Sequence, residues 1–215
     1  MTPRRILMLV LLLACTSVGA KEWAFDVYLD KSKMGTHSFN LNDANQMLSR
    51  AKFRVKVLFI EAYSYDHVSK EQWQDDCLTS IEANTTENKV VSKVTGQLQA
   101  DMFDISNATQ TQKLPACVMT FAYWNPKTLT QNKLLNPQNG EYLDTKIKQV
   151  GTETIEVKGK QTETTRYLLQ GFSEAKTKSE AKVKLNIDLW YDQNKNWVAL
   201  QSTTPEGYKV IYKLK

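Results

Sequence analysis

Residues 115–135 have the sequence PACVMTFAYWNPKTLTQNKLL, which combines a cysteine, a run of apolar and aromatic residues and a stop at Asn125-Pro126. The residue before a proline is biased away from helical backbone, and proline suits the first position of a helix. A short helical segment is therefore predicted near residues 126–133. Cys117–Tyr123 fits either a strand or the start of a buried helix, because periodicity does not separate the two in so short a run.

On both sides of this stretch, apolar and polar residues alternate with a period of two, which predicts β-strands. Before it, the predicted strands are 23–29, 34–39, 52–65, 77–83 and 89–98. After it, they are 141–150, 152–157, 161–171, 182–192, 197–203 and 208–214. Two polar segments are not predicted as full strands: 66–76 is expected to hold at most one helical turn, and 101–113 a loop with a short strand at most.

The turns between the last strands are short enough to make 185–214 a three-stranded meander. Many closely spaced strands with few helices and no alternation of strand and helix predict an all-β fold. We expect a single antiparallel curved sheet, as a half-barrel or barrel, forming one domain over residues 21–215. The 115–135 segment is expected to pack across this sheet or to close one of its ends.

The first twenty residues have the layout of a secretory signal peptide. Arg4 and Arg5 precede the apolar run 6–14, and small residues end at Ala20 before the charged Lys21. The run is shorter than the about 20 apolar residues that a transmembrane helix needs, so no membrane span is expected. Cleavage after Ala20 predicts a periplasmic or secreted protein. Lipid attachment at Cys15 is the alternative, and it is the less favoured one because Leu13 is bulky for that motif.

Removal or lipidation of Cys15 leaves two cysteines, Cys77 and Cys117. In an oxidising compartment a disulfide between them is the expected state. Two buried free thiols that pack as small apolar residues are the alternative.

The charge pattern does not indicate a nucleic-acid-binding protein. The net charge is +5, and the lysines are scattered among Glu, Thr and Gln rather than gathered in a patch. Such spacing is typical of solvated strand faces. The sequence also has no glycine-rich phosphate loop and no cluster of metal ligands at usable spacing, so no cofactor and no metal are predicted.

His37 and His67 are the two histidines of the chain, and Asp66 precedes His67. The nearby serines do not lie in a nucleophile-elbow motif, so both histidines are interpreted as surface or edge residues. An enzyme acting on a lipid, with His67 and Asp66 as its acid–base pair, is kept as an alternative.

The aromatic residues are the most distinctive feature of the composition. Most aromatic side chains in β proteins fill the core. Some of them can instead line an apolar cavity inside a curved sheet, since ligand pockets are rich in aromatic residues. The candidate ligand-binding residues are Phe121, Tyr123 and Trp124, near the break at Asn125-Pro126, together with Trp73.

Four blocks of sequence together resemble a family of exported bacterial all-β proteins that is known as a domain of unknown function. They are Glu71-Gln72-Trp73-x-x-x-Cys77-Leu78, Ala116-Cys117-x-x-x-Phe121-Ala122-Tyr123-Trp124-Asn125-Pro126, Leu135-Asn136-x-x-x-Gly140, and Leu189-Trp190-Tyr191-Asp192 with Trp197-Val198-x-Leu200. The resemblance covers the chain from about residue 21 to 215, although the turn after Glu87-Asn88 lacks the glycine expected of that family. More loosely, the chain resembles the half-barrel carriers of lipoprotein localisation, which hold acyl chains.

Three functions follow from these observations. The first is a periplasmic non-catalytic protein that binds an apolar or lipid-like molecule in the curved sheet. The second is a structural or interaction protein of the cell envelope with a filled core. The third is the lipid-acting enzyme that uses His67. A cavity of at least about 300 Å³ would favour the first, and a histidine inside it with a hydrogen-bond partner would be needed for the third.

Overall fold

The computed structural model describes residues 20–173 and 182–215. The predicted signal peptide, 1–20, lies outside these residues apart from Ala20, and so does Cys15. Within the described residues no helix is long and apolar enough to cross a membrane.

The described residues form fourteen β-strands and one 3-10 helix. The strands are β1 (Lys21–Leu29), β2 (Ser32–Leu41), β3 (Gln46–Val57), β4 (Ile60–Gln74), β5 (Cys77–Glu87), β6 (Val90–Gln99), β7 (Met102–Asn107), β8 (Thr111–Pro115), β9 (Lys133–Leu135), β10 (Tyr142–Val157), β11 (Lys160–Phe172), β12 (Val183–Asp192), β13 (Trp197–Thr203) and β14 (Lys209–Leu214). The 3-10 helix covers Pro126–Thr130.

All fourteen strands belong to one sheet, in the order β8-β7-β6-β5-β4-β3-β2-β1-β14-β13-β12-β11-β10-β9. The first and last strands pair at its centre, where Phe25 is opposite Leu214. Each half is an antiparallel meander, so the two edge strands are β8 and β9. These edges are consecutive in the chain and are joined by residues 116–132, which we call the plug. The predicted single curved antiparallel sheet is confirmed, in an open form.

The core lies on the inner face of this curved sheet, between the strands and the plug. Alternate residues of β1 (Trp23, Phe25 and Val27) are buried on this face. Phe25 packs against Trp197 of β13, with ring centroids 4.4 Å apart. The plug contributes its own buried residues, Val118 among them, to the same cluster. The apolar set that alternation predicted for β1 is therefore the central part of the core.

Four local predictions were wrong, each for a physical reason. The predicted strands 141–150 and 152–157 are one strand, β10, because the chain passes Gly151 with a shift of register and no turn. The predicted strand 52–65 is two strands, because the chain turns at Leu58-Phe59, a pair with no turn-forming residue. Segment 66–76 is not helical but continues β4 as far as Gln74. The prediction failed because several side chains on the inner face of this strand are polar, so the segment shows no alternation of hydrophobicity. Segment 101–113 is not a loop, since most of it forms β7 and the start of β8.

The predicted helical segment is present but shorter than 126–133. The Asn125 side chain accepts a hydrogen bond from the Lys127 amide, and Pro126 occupies the first turn. The helix ends at Thr130 because Gln131 is extended, with φ −84° and ψ 140°. Residues 133–135 then form edge strand β9. The meander over 185–214 is confirmed as β12, β13 and β14.

Candidate functional site

The plug is held on the inner face of the sheet by a covalent bond and by backbone hydrogen bonds. Cys117 forms a disulfide with Cys77, at the start of β5, and the two Cα atoms are 4.8 Å apart. The Leu78 amide donates to the Val118 carbonyl at 2.8 Å, and the Leu135 amide donates to the Met119 carbonyl at 2.9 Å. The plug is thereby fixed to both halves of the sheet, and the disulfide expected from the cysteine count is present.

The plug is mostly irregular backbone rather than the strand or buried helix considered for its first part. Thr120 makes one isolated bridge with Leu135. The buried Thr128 hydroxyl donates to the Ala122 carbonyl at 2.8 Å, and the Tyr191 hydroxyl donates to the Tyr123 carbonyl at 2.7 Å. In the plug, side-chain hydroxyls therefore donate the hydrogen bonds to backbone carbonyls that backbone amides would donate in a helix or strand.

A cavity of about 340 Å³ lies between the plug and the inner face of the sheet. Its aromatic and large apolar lining comes from both sides, with Phe121, Tyr123 and Trp124 from the plug and Phe39, Met47, Ile187, Trp197, Leu200 and Tyr212 from the strands. Its polar lining includes His37, Ser49, His67, Ser69, Glu71 and Thr120. The chamber thus combines an aromatic and apolar wall with a polar wall of nearly equal size, and it has the concave form of a small-molecule site.

The predicted ligand-binding residues fall into two groups. Phe121, Tyr123 and Trp124 lie together on the cavity wall. Trp73 lies behind them, because it is buried and does not line the cavity. Its ring meets Trp124 edge-on at 5.4 Å, and its indole N–H donates to Glu71 at 3.0 Å. Trp73 therefore supports the position of Trp124 instead of facing the chamber.

His37 lines the cavity, so its interpretation as a surface or edge residue was wrong. Its ring stacks on Phe39 at 4.1 Å. Nε2 lies 2.8 Å from the Ser49 hydroxyl, and Nδ1 lies 3.2 Å from the Tyr212 hydroxyl. Burial lowers the pKa of His37 to about 3, so the ring is neutral at ordinary pH.

His67 is buried on the same inner face and also lines the cavity, which corrects the same prediction. Its Nδ1 lies 2.9 Å from the Thr85 hydroxyl, and that hydroxyl donates its proton to the Gln138 carbonyl at 3.1 Å. Since Thr85 has one proton to give, Nδ1 of His67 must be the donor in their hydrogen bond. In the neutral ring Nε2 is then left as a hydrogen-bond acceptor.

The structure separates the acid–base pair of the enzyme hypothesis. Asp66 and His67 are neighbours on β4 and face opposite sides of the sheet, as successive strand residues do. Asp66 forms a short ion pair with Arg54 on the outer side. Burial lowers the pKa of His67 to about 4, which makes it a weak proton acceptor near neutral pH. His67 does have a hydrogen-bond partner in the cavity, but that partner is a neutral hydroxyl.

Glu71 is the buried ionisable group that the sequence interpretation missed. Its carboxyl oxygens accept hydrogen bonds from the Ser69 hydroxyl, the Trp73 indole and the Thr120 hydroxyl, at 3.2, 3.0 and 3.3 Å. Burial raises the pKa of Glu71 to about 7, although these three donors act in the opposite direction. Because Thr120 belongs to the plug, Glu71 joins β4 to the plug beside the cavity. Strict alternation continued along β4 could have indicated it, since residues 67, 69, 71 and 73 all face inward.

Lys184 and Glu141 mark an outer part of the cavity wall. Lys184 is half-exposed, is one of the lining residues, and forms an ion pair with Glu141 at 3.8 Å. Thr203, Thr204 and Pro205, where β13 turns towards β14, also belong to this lining. The cavity thus extends from the buried polar groups near the plug to the end of the sheet where β13 ends and β12 begins. We call this end the mouth.

The geometry defines a class of protein: one open, curved antiparallel sheet, β-barrel-like in form, with an internal plug over a chamber that aromatic, apolar and polar side chains line. The chain belongs to the family described as domain of unknown function DUF6134, whose sequence model matches residues 25–215. This confirms the expected membership of an all-β family of unknown function.

One similar solved structure is the crystal structure of a β-barrel-like protein of domain of unknown function DUF1849 from Brucella abortus. The TM-score is 0.65 at 10% sequence identity, and the match covers 90% of this chain and 94% of that chain. At such low identity the likeness shows a shared fold alone. No curated protein matches the sequence.

Proposed function

We propose that this protein is a non-catalytic binding protein of the cell envelope that holds an apolar, lipid-like molecule in the cavity beneath the plug. The observation that carries the proposal is the cavity itself, about 340 Å³ of space walled by the plug on one side and aromatic strand residues on the other. This volume lies at the lower end of the range for small-molecule sites. A filled interior, which a purely structural protein would favour, does not agree with a chamber of this size.

The volume and the lining suggest the kind of ligand. At about 30 Å³ per heavy atom, the share of a water molecule in the liquid, the chamber accommodates roughly eleven heavy atoms. That corresponds to one medium-length acyl chain. His37 and His67 are neutral in the folded protein, so the inner chamber carries no fixed positive charge from them. Among the described lining residues, Lys184 at the mouth is the cationic group that could meet an acidic head group, which would then compete with Glu141 for it.

The proposed location follows from the N-terminal sequence and from the disulfide. A signal peptide over residues 1–20 would export the chain to the periplasm or beyond, with lipid attachment at Cys15 as the less favoured form. A Cys77–Cys117 bridge agrees with an oxidising compartment. Both observations support export and neither depends on the ligand.

A small fluorescent apolar probe, 1-naphthylamine, whose size matches the volume of the chamber, tests the proposal directly. We expect the probe to bind the purified protein and decanoic acid to displace it. Ser202 lines the cavity near the mouth, and its neighbour Gln201 is not part of the lining. Ser202→Phe should fill the chamber and lower probe affinity at least tenfold, while Gln201→Phe, on the same strand, should bind as the wild type does. Absence of probe binding by the wild type, or an equal loss in both variants, would contradict the proposal.

A further inference from the structure

The hairpin between β3 and β4 carries an unusual apolar tip. Leu58 is 85% exposed, Phe59 is 100% exposed and Ile60 is 71% exposed. Single exposed apolar residues are common on proteins, but three large ones in sequence at the tip of a projecting hairpin are not. We call residues 58–60 the apolar tip.

The backbone of the tip is unfavourable for its own residues. Leu58 has φ 48° and Phe59 has φ 72°, and such paired left-handed positions in a hairpin turn favour Asn and Gly. Two other turns of this kind in the described residues, Asn88-Lys89 and Lys158-Gly159, each contain one of those favoured residues. Folding alone therefore does not explain why Leu and Phe occupy positions 58 and 59.

The tip projects beyond the β5–β6 turn, which neighbours it on one side. The Asn88 amide donates to the Ser64 carbonyl, so the β5–β6 turn is level with Ser64 of β4. Five further residues separate Ser64 from Phe59, which at about 3.3 Å per strand residue places the tip roughly 17 Å farther out. On its other side the β1–β2 turn is nearly level with the tip, because the pairing of Gly35 with Phe53, continued along the strands, brings Lys31 beside residue 57. The apolar tip and Lys31 therefore reach a surface together.

The apolar tip and the mouth of the cavity lie at the same end of the sheet. β3, β5 and β13 all end there, as the antiparallel order requires. Four more large apolar residues are exposed at this end: Val90, Val91, Val183 and Tyr208. Of the remaining exposed large apolar residues in the described part of the chain, Val68 and Val150 lie within strands, away from this end. The exposed apolar surface is thus concentrated around the opening of the chamber.

Positive charge accompanies the apolar residues. Lys31, Lys56, Lys89 and Lys209 are exposed at this end, and none of them forms an ion pair with another described residue. Of the acidic residues there, Glu61 is paired with Arg54, and Glu87 accepts a hydrogen bond from Tyr63. Asp30 and Glu206 are also exposed there without an ion pair in the described residues. The four lysines therefore outnumber by one the three carboxylates that form no ion pair, Asp30, Glu87 and Glu206.

We propose that the mouth end of the sheet docks on an anionic lipid bilayer, with the apolar tip inserted among the lipids and the lysines near the head groups. A projecting wedge of three apolar residues flanked by cations is suited to the interfacial region of a bilayer. A stable protein partner would instead need a broad complementary face of about 800 Å² on each side. Docking in this orientation sets the mouth of the chamber against the membrane surface.

Sedimentation with vesicles tests the docking, using vesicles of phosphatidylcholine with phosphatidylglycerol. The variant combines Leu58→Asn and Phe59→Gly, which supply the residues that the turn conformation favours while removing the apolar side chains. It should bind the anionic vesicles at least tenfold more weakly than the wild type. Its melting temperature should equal or exceed that of the wild type, which separates lost binding from lost folding. Val150→Thr, at an exposed apolar position away from the tip, is the matched control and should bind as the wild type does.

The outcomes are distinct. A loss of vesicle binding in the tip variant, with the control unaffected, supports the docking. A wild-type protein that does not sediment with anionic vesicles overturns it and leaves a protein partner as the occupant of this end. Equal binding by the wild type and the tip variant also overturns it. The docking goes beyond ligand binding and can fail separately, because Ser202→Phe fills the chamber and leaves residues 58–60 unchanged.

Discussion

Replacement of Glu71 by Gln should stabilise the protein at alkaline pH. Burial raises the pKa of Glu71 from 4.5 to about 7. The folded state therefore binds a proton more tightly than the unfolded state, and folding becomes less favourable as pH rises from about 4.5 to 7. At 1.36 kcal/mol for each unit of pKa, the ionised side chain costs the folded protein about 3 kcal/mol above pH 7.

The Gln side chain has nearly the shape of a protonated Glu and can keep the hydrogen bonds from Trp73 and Thr120. Near pH 4.5 the free energies of unfolding of the wild type and Glu71→Gln should therefore be about equal. At pH 8 the variant should be more stable by roughly 3 kcal/mol. Because His37 and His67 titrate in both proteins, their contributions cancel in this difference.

Equilibrium unfolding in urea, followed by tryptophan fluorescence at pH 4.5, 6 and 8 without reductant, measures the effect. Glu82→Gln is the control, because Glu82 lies on β5 and is exposed. It should show no comparable dependence on pH. If the wild-type protein at pH 8 is as stable as Glu71→Gln, or more stable, then burial does not outweigh the three hydrogen bonds in setting the pKa of Glu71, and the reasoning is refuted.

Two further predictions concern the plug and the histidines. Replacing both Cys77 and Cys117 by Ala should lower the free energy of unfolding by about 4 kcal/mol, because the disulfide closes a loop of about 40 residues and so restricts the unfolded chain. If urea unfolding shows a change below about 1 kcal/mol, the plug is held by its other contacts. His37 and His67 have folded pKa values lowered to about 3 and about 4, below the 6.5 of the unfolded chain, so stability should fall as pH drops from 6.5 towards 4. Replacing both with Gln should remove this loss of stability at acid pH and leave the opposite dependence on Glu71, which is more stable protonated. An unchanged profile would contradict the buried neutral state of the two rings.

Much of the fold could be predicted from the sequence because alternation is strong where one strand face is apolar. Trp23, Phe25 and Val27 alternate with polar residues, and they form the buried face of β1. The same rule did not identify the second half of β4, where His67, Ser69 and Glu71 point inward. The alternation there is between two polar sets, so hydrophobicity does not reveal it. Polar residues face inward at this point because they line the cavity and support the plug.

The β3–β4 hairpin was missed for a related reason. Turn prediction depends on residues such as Asn and Gly, and Leu58-Phe59 provides neither. The candidate site could be predicted in part, because the aromatic residues near Asn125-Pro126 identified the plug as one wall of a cavity. The partners that complete the cavity, such as Tyr212 and Trp197, come from strands about 70 residues or more away in the chain. The pairing of β1 with β14 then places these two strands beside β1 and β2, which begin the other half of the cavity wall.

Native mass spectrometry is the most direct test of the central claim, that the chamber beneath the plug holds an apolar molecule. The protein would be purified without detergent from its own host and sprayed under gentle conditions. We expect a bound species with the mass of a lipid or fatty acid in the wild type and a marked loss of it in Ser202→Phe. A wild-type protein that carries no adduct, and takes up none after incubation with decanoic acid, would show that the chamber does not hold such a molecule.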